Sequence, residues 1–572
     1  MADDRKGRLH DRSAPQRPER GAPFGLPRTT ARGAAMRRVS GVRRNAIIVR
    51  GCCAKTAGRV MRLADTSTSH SVRPAPYAAS HGCFMFEQTQ ETRMEEGKHF
   101  IGNRWTAPSS GETIPVVDPS DGQVFSQIAR GTSADIDRAV SAARAAYDGA
   151  WGATSAADRG RILARLSMLI AACHEDIAQI EARDTGKPLT QARADAAGIA
   201  RYFEFYAGAA DKLHGETLPY QSGFTVLTIR EPHGVTGHIV PWNYPLQIFG
   251  RSVGAALAAG NACVVKPAED ACLSLLRIAE LAAEAGLPEG ALNIVTGYGY
   301  EAGAALARHP GIDHISFTGS PMTGAAVTKM AADNHVPVTL ELGGKSPQIV
   351  FADADFDAAL PVLVAAIVQN AGQTCSAGSR VLIERAAYEP LIERLSEAFA
   401  ALKVGPSRLD LDCGPLISAK QQQRVWDFLS DAQHDGIAMA AHGEVVTEAP
   451  EAGFYQAPTL LRDVPRTHRL AREEVFGPVL AVMPFDDEAD ALKLANDTNY
   501  GLVAGIWTRD GARQMRLARR VRSGQVFINN YGAGGGVELP FGGVKHSGHG
   551  REKGFEALYG FTTLKTIAIK HG

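Results

Sequence analysis

The sequence predicts an α/β fold on parallel sheets, and three features of its texture predict it. From about residue 225, short β-branched runs alternate with helix-patterned stretches, and turn-forming residues stand at the carboxyl end of each run. A second block with the same alternation begins near 336 and extends to about 556. The final stretch, "LYGFTTLKTIAIK", reads as a strand with no helix after it, so it needs a partner edge, expected on a neighbouring subunit.

Taken in order, the chain begins with a basic segment. Residues 1–93 hold sixteen Arg and two Lys against seven acids, a net of +11, while 94–572 hold 43 basic and 54 acidic residues, and the two halves cancel to zero. The segment has no sustained period and few groups able to build a core. A disordered arm, a targeting peptide and translated sequence upstream of the true start all compete. Asp3, Asp4 and Asp11 fit a transit peptide poorly, so an over-long start or a disordered arm is expected. Charge alone does not make it a nucleic-acid site. No run of eighteen apolar residues occurs, so no transmembrane helix is expected. The eight cysteines, at 52, 53, 83, 173, 263, 272, 375 and 413, form no C-x-x-C pair, which points to a reduced, cytoplasmic setting without zinc or other metal.

Helical spacing starts near 133 in "TSADIDRAVSAARAAYDGAW", with Ser133 as the expected cap, and continues through "ILARLSMLIAACHEDIAQIEARD". "TVLTIREP" and "GVTGHIV" then read as strands, "SVGAALAAG" as a helix, "ACVVKPAE" as a strand, and "LSLLRIAELAAEAG" as a helix stopped by Gly286 and Pro288. "ALNIVTG", "HISFTGS", "VPVTLELGG" and "SPQIVF" are further strands, and ligands are expected at strand carboxyl ends.

The residues that carry chemistry sit at those ends. "GYGYEAG" (Gly297, Gly299, Gly303) falls short of a dinucleotide fingerprint and reads as a glycine-rich turn. "FTGSPMTG" is better placed: Gly319 and Gly324 frame a turn after a strand, and Ser320 with the turn's N–H groups could meet a pyrophosphate. In "QNAGQTCSAGSR" Cys375 stands among polar residues, flanked by Gly372 and Gly378, which would let substrate and cofactor approach. A lone cysteine is more often inert, so it needs partners. "PWNYP" offers Asn243 on a rigid turn as an oxyanion donor, or as an ordinary turn residue; "LELGGKSP" offers Glu341 as a base for water, or as a surface ion-pair partner.

"PWNYP", "VVKPAE", "FTGSPMTG", "LELGGKSP", "GQTC", "EEVFGPV" and "PFGGVKHSGHGRE" stand in the order found in the NAD(P)-dependent aldehyde dehydrogenase superfamily, which this chain resembles over 98–572. The resemblance implies Cys375 as the nucleophile, its N–H and Asn243 as oxyanion donors, and Glu341 as the base that hydrolyses a thioester, in a non-acylating enzyme. It implies cofactor contacts at Trp242, Lys266, Glu269, Gly319, Ser320, Gly324, Glu474 and Phe476, with Glu269 favouring NAD over NADP, and Glu552 as a second carboxylate in a proton relay.

The chain also departs from the pattern. Many relatives carry Lys where Ser252 stands, which puts that relay in doubt; the neighbouring Arg251 matches an Arg by which succinate-semialdehyde dehydrogenases grip a substrate carboxylate. A second Arg of theirs is Gln369 here. A carboxylate-bearing semialdehyde is thus one expectation for the substrate, against Arg251 in a helix-surface ion pair. A cysteine hydrolase would leave the cofactor motifs idle, and a non-catalytic relative would not retain the Cys–Asn–Glu set.

By resemblance the fold is a Rossmann-like cofactor domain (98–212 and 233–343), an α/β catalytic domain (344–556) and a β oligomerisation arm (213–232 and 557–572). The expected partners are a small-molecule aldehyde and other copies of the chain, as homodimer or homotetramer, with no nucleic acid and no membrane.

Overall fold

Two mostly parallel sheets carry the chain, and residues 343–346 join them. The computed structural model describes residues 96–532 and 536–572. The expectations for the basic segment 1–93 lie outside the described residues.

The first sheet is built on β1 (Val235–Val240), β2 (Ala262–Pro267), β3 (Leu292–Ile294), β4 (His314–Gly319) and β5 (Val338–Leu342), in the order β3-β2-β1-β4-β5, all parallel. Short antiparallel strands extend both sides, His99–Ile101 and then Arg104–Thr106 beyond β3, and Gly548–His549 beyond β5. The chain moves outward from β1 through β2 to β3, then returns to the other side of β1 with β4. That reversal opens a crevice at the carboxyl ends of β1 and β4, where α/β sheets bind ligands.

Helix α1 (Pro245–Ala259) follows β1. Pro245 presets its first turn, Gly260 in the left-handed region ends it, and its residues are buried on every side but one, so it is a core helix and not an amphipathic cover. Arg251 is its only charge, placed at mid-helix. Helix α2 (Leu273–Glu284) follows β2, and α3 (Pro321–Ala332) follows β4.

The second sheet contains β6 (Pro347–Val350), β7 (Arg380–Glu384), β8 (Thr459–Leu461), β9 (Val479–Phe485), β10 (Val503–Trp507) and β11 (Gln525–Ile528), in the parallel order β8-β9-β7-β6-β10-β11. Each face of this sheet covers its own apolar cluster.

Two expectations change. The first helix is capped by Thr132 and not Ser133: the Asp135 carboxylate accepts from the Thr132 N–H at 2.8 Å, a reciprocal capping arrangement one residue earlier. The late strand, Thr562–Lys570, finds its partner in its own chain. It pairs antiparallel with Phe224–Pro232 along all nine residues, and Thr217–Leu218 completes a three-stranded sheet. No helix of the described residues is long and apolar enough to cross a membrane.

Candidate active site

Cys375 lies in the loop between helix α4 (Phe356–Val368) and β7, and its shape comes from three consecutive residues, Asn370, Ala371 and Gly372, at φ 50°, 52° and 72°. Left-handed backbone costs an alanine roughly 1–2 kcal/mol, so neighbouring contacts must impose it. Asn370 donates from Nδ2 to the Asn243 carbonyl at 2.9 Å, and its N–H donates to Gln191 Oε1 at 2.9 Å. In return, Asn243 Nδ2 donates to the Gln373 carbonyl at 2.9 Å. The turn after β1 and the cysteine loop therefore hold each other.

The glycines serve this packing more than substrate approach. A Cβ at Gly372 would overlap the Gly477 carbonyl at 2.2 Å, and one at Gly344 would stand 2.3 Å from the Cys375 carbonyl oxygen. The first contact lays the cysteine loop against the "EEVFGPV" loop; the second lays it against the link between the two sheets.

Cys375, Asn243 and Arg251 share the wall of one cavity of about 1090 Å³, with Tyr244, Tyr531 and Phe541 among its apolar lining. The thiol is partly exposed to that space. Burial pushes it up to about 12, against the pull of Arg251 and of the Ser376 N–H. A nucleophilic cysteine needs the opposite shift, so this arrangement leaves the thiol protonated at neutral pH. Among the described residues, the Cys375 N–H meets no backbone acceptor. One N–H of the Asn243 amide also remains after its bond to Gln373.

Glu341 sits on β5, beside Thr318 of β4 in register, and is 1 % exposed. Neither of its carboxylate oxygens has a hydrogen-bond partner among the described residues. Burial first, and then Glu552, hold its carboxyl well above the usual range, while Arg251 and Arg551 pull it down. An unsatisfied buried carboxylate is a costly feature, and such features concentrate where chemistry is done.

Arg251 is not on a surface. It is 6 % exposed, its Nε is ion-paired with Glu552 Oε2, its Nη2 donates to Thr318 Oγ1 at 3.1 Å, and its guanidinium lies 4.9 Å from the Phe541 ring centroid. Glu552 is fully buried, and its Oε1 accepts from Ser316 Oγ at 2.5 Å. Thr318 stands inside "FTGSPMTG" and Ser316 inside "HISFTGS", but neither stretch implies a role for them; their places on β4 come from the period-two alternation of a strand whose site face was not identifiable.

The predicted cofactor residues gather at the crevice end of the first sheet. Lys266 Nζ pairs with Glu269 Oε2 at 2.8 Å, and Glu269 Oε1 accepts from the Gly299 N–H at 3.4 Å, which brings "GYGYEAG" next to it. Gly319 ends β4 and Ser320 caps α3, where its Oγ accepts from the Thr323 N–H at 3.2 Å and lies 2.9 Å from Thr323 Oγ1, a contact in which either hydroxyl can donate. Gly324 lets α3 lie against Leu342, since a Cβ there would stand 2.7 Å from that side chain. Trp242 and Phe476 meet edge to face at 5.4 Å, and Glu474 accepts from the Gly344 N–H at 2.9 Å, with burial pushing its carboxyl up to about 7. A helix N-terminus, a carboxylate and two aromatic rings at one crevice fit a dinucleotide. Among the described residues, no group of three or more His, Cys, Asp or Glu could hold a metal.

Residues 105–567 match the aldehyde dehydrogenase family. An Escherichia coli K12 protein described as NADP/NAD-dependent aldehyde dehydrogenase PuuC is 44% identical over 83% of this chain and 96% of its own length. A hydroxyisobutyraldehyde dehydrogenase from Mycolicibacterium austroafricanum is 42% identical over 82% and 93%. Among solved structures, a Burkholderia cenocepacia crystal structure provisionally assigned as an aldehyde dehydrogenase is 82% identical, with a TM-score of 0.83, and covers 83% of this chain and 100% of that one. The NAD+ complex of an aldehyde dehydrogenase from Bacillus cereus is 39% identical with a TM-score of 0.81, covering 84% and 97%.

Proposed function

The chain belongs to the aldehyde dehydrogenase family, whose members oxidise aldehydes, and from that premise we propose a non-acylating, NAD-dependent oxidation of an aldehyde to its carboxylic acid. The observation that carries the reading is the meeting of Cys375 and Asn243 in one cavity wall, with the unpartnered Glu341 carboxylate close enough to perturb the thiol.

The Cys375 thiol first loses its proton to solvent water; its Sγ then attacks the aldehyde carbon, and the carbonyl electron pair moves to oxygen, where the remaining Asn243 N–H and the Cys375 N–H receive it. NAD, when bound, would supply a cationic nicotinamide as the acceptor for the hydride that leaves the thiohemiacetal carbon. A thioester on Cys375 remains. Glu341 takes a proton from water, the hydroxide adds to the thioester carbon, and the C–S bond breaks to release the acid and restore the thiol. Raised proton affinity makes the Glu341 carboxylate, in its ionised form, a stronger base than an ordinary one, which suits this step.

Lys266, Glu269, Ser320, Glu474, Phe476 and Trp242 would hold the cofactor; Glu269 would repel a 2′-phosphate and so favour NAD over NADP. The same reading divides the chain into the cofactor domain 98–212 with 233–343, the catalytic domain 344–556 and the arm 213–232 with 557–572, the arm serving a cytoplasmic homodimer or homotetramer. NADH formation from a panel of aldehydes tests the function: wild type yields NADH and the matching acid, and Cys375→Ala yields neither. Undiminished NADH from Cys375→Ala would overturn the role of Cys375.

A further inference from the structure

The only charge on a core helix faces the substrate cavity, and that charge is already taken. Arg251 lines the same cavity as Cys375. Its Nε faces Glu552, its Nη2 faces Thr318, and one side of its guanidinium faces Phe541. Glu552 is held in turn. Ser316 donates to its second oxygen, and its backbone exchanges two hydrogen bonds with Phe541, at 2.6 and 2.8 Å. Gln369, the other position at which a carboxylate anchor was sought, is exposed and uncharged, and its Nε2 donates to Tyr244 Oη at 2.6 Å.

Resting on the aldehyde dehydrogenase reading, we propose that Glu552 is a specificity-determining residue: by occupying the Arg251 guanidinium it closes the cavity's built-in cation to carboxylate-bearing aldehydes, so the site takes uncharged ones. This reverses the semialdehyde expectation.

A substrate carboxylate at Arg251 would have to displace a fully buried carboxylate, or sit as a further negative charge beside Glu552 and Glu341. An uncharged aldehyde meets no such barrier and finds Tyr202, Tyr244, Ile248, Val368 and Phe541 along the cavity. The other charged groups on the wall are the acids Asp195 and Asp412 and one further cation, Lys553. Asp195 is held by Lys187 and Gln247. Lys553, 5.9 Å over the Phe541 ring, has its ammonium pushed down to about 8, by burial first and then by Arg251.

The test compares two aldehydes that differ in charge and by one methyl group, succinate semialdehyde and its methyl ester, as the ratio of their kcat/KM values in wild type and in Glu552→Gln. The ratio cancels any loss of turnover common to both. Wild type should favour the ester by about tenfold or more, since a site rejects strongly what leaves its buried polar groups mismatched. Glu552→Gln should move the ratio toward the acid by about another tenfold, because the unpaired buried guanidinium then recruits the substrate carboxylate. A wild type that prefers the acid, through Arg251 or through Lys553, overturns the proposal even if the variant does not fold. An unchanged ratio in a folded Glu552→Gln overturns it too. No NADH from any aldehyde in wild type would instead bring down the dehydrogenase reading on which it rests.

Discussion

Two buried charge clusters flank the cavity, and they are built to opposite rules. In the first, Lys187 Nζ contacts Glu181 Oε1 at 3.0 Å and Asp195 Oδ2 at 2.5 Å, Ser274 Oγ donates to Glu181 Oε2 at 2.7 Å, and Gln247 Nε2 donates to Asp195 Oδ1 at 3.0 Å. All four carboxylate oxygens have a donor. Burial pulls the Lys187 ammonium down, but Asp195 and Glu181 outweigh it and hold it charged. In the second cluster, Arg251 Nε is only ion-paired with Glu552 Oε2, Ser316 Oγ donates to the other Glu552 oxygen, and Glu341 has no donor at all among the described residues. A fully satisfied buried network fixes one structure; an unsatisfied carboxylate keeps its proton affinity available for a reaction. The difference separates residues that hold the cavity open from residues that work inside it.

The sharpest break of that comparison is Glu341→Gln. Loss of the base should lower steady-state turnover by about 10²–10⁴-fold without lowering thermal stability. Its pH dependence has a definite sign. The folded carboxyl is raised above its unfolded value, so its contribution to stability is present at low pH and lost as pH rises through the folded titration. Thermal melts should therefore show the variant gaining on wild type as pH increases. Lys187→Met should do the reverse. Two buried carboxylates lose their cation, unfolding free energy falls by about 3–5 kcal/mol in denaturant titration, and turnover per folded molecule stays near wild type. Equal losses of rate in the two variants would erase the distinction.

Asn243→Ala removes a donor from the reacting oxygen and should lower kcat by about 10²–10³-fold, measured with an uncharged aldehyde. The smallest effect concerns a third buried set, His238 and His314, whose Nδ1 atoms are unpartnered among the described residues. Burial pushes His238 down to about 3, below its unfolded value of about 6.5. Stability is complete above the unfolded value and is lost as pH falls beneath it. His238→Gln should recover about 2 kcal/mol relative to wild type near about pH 5, read by denaturation there and at about pH 8, above the unfolded value.

The alternation of strands and helices, and the glycine and proline punctuation between them, were legible because they are local. Thus "VTGHIV", "ACVVKP" and "HISFTG" announce strands, and Gly260 ends a helix where its pattern stops. Seven short motifs also located the site candidates. What the sequence left open depends on where side chains meet in space. Arg251 was open to two readings, a substrate anchor or a surface ion pair, because nothing nearby in sequence reveals that Glu552, some three hundred residues on, pairs with its guanidinium. The Gly372 and Gly378 pair read as room for substrate, yet Gly372 is shaped by Gly477 and Gly378 by Gln348. The thiol's raised proton affinity has the same origin, since burial is a property of the packed loop and not of its residues. Asn370, which clamps the Asn243 turn to the cysteine loop, carries no signal of its own beyond tolerance for left-handed backbone.

The most direct measurement is the pre-steady-state release of NADH by Glu341→Gln mixed with NAD and an uncharged aldehyde. If Cys375 is acylated after hydride transfer and Glu341 drives hydrolysis, the variant should form a single equivalent of NADH per active site and then stall, with the acyl group on Cys375 by mass spectrometry. Steady NADH production at the wild-type rate, with no acyl group on Cys375, would contradict the account.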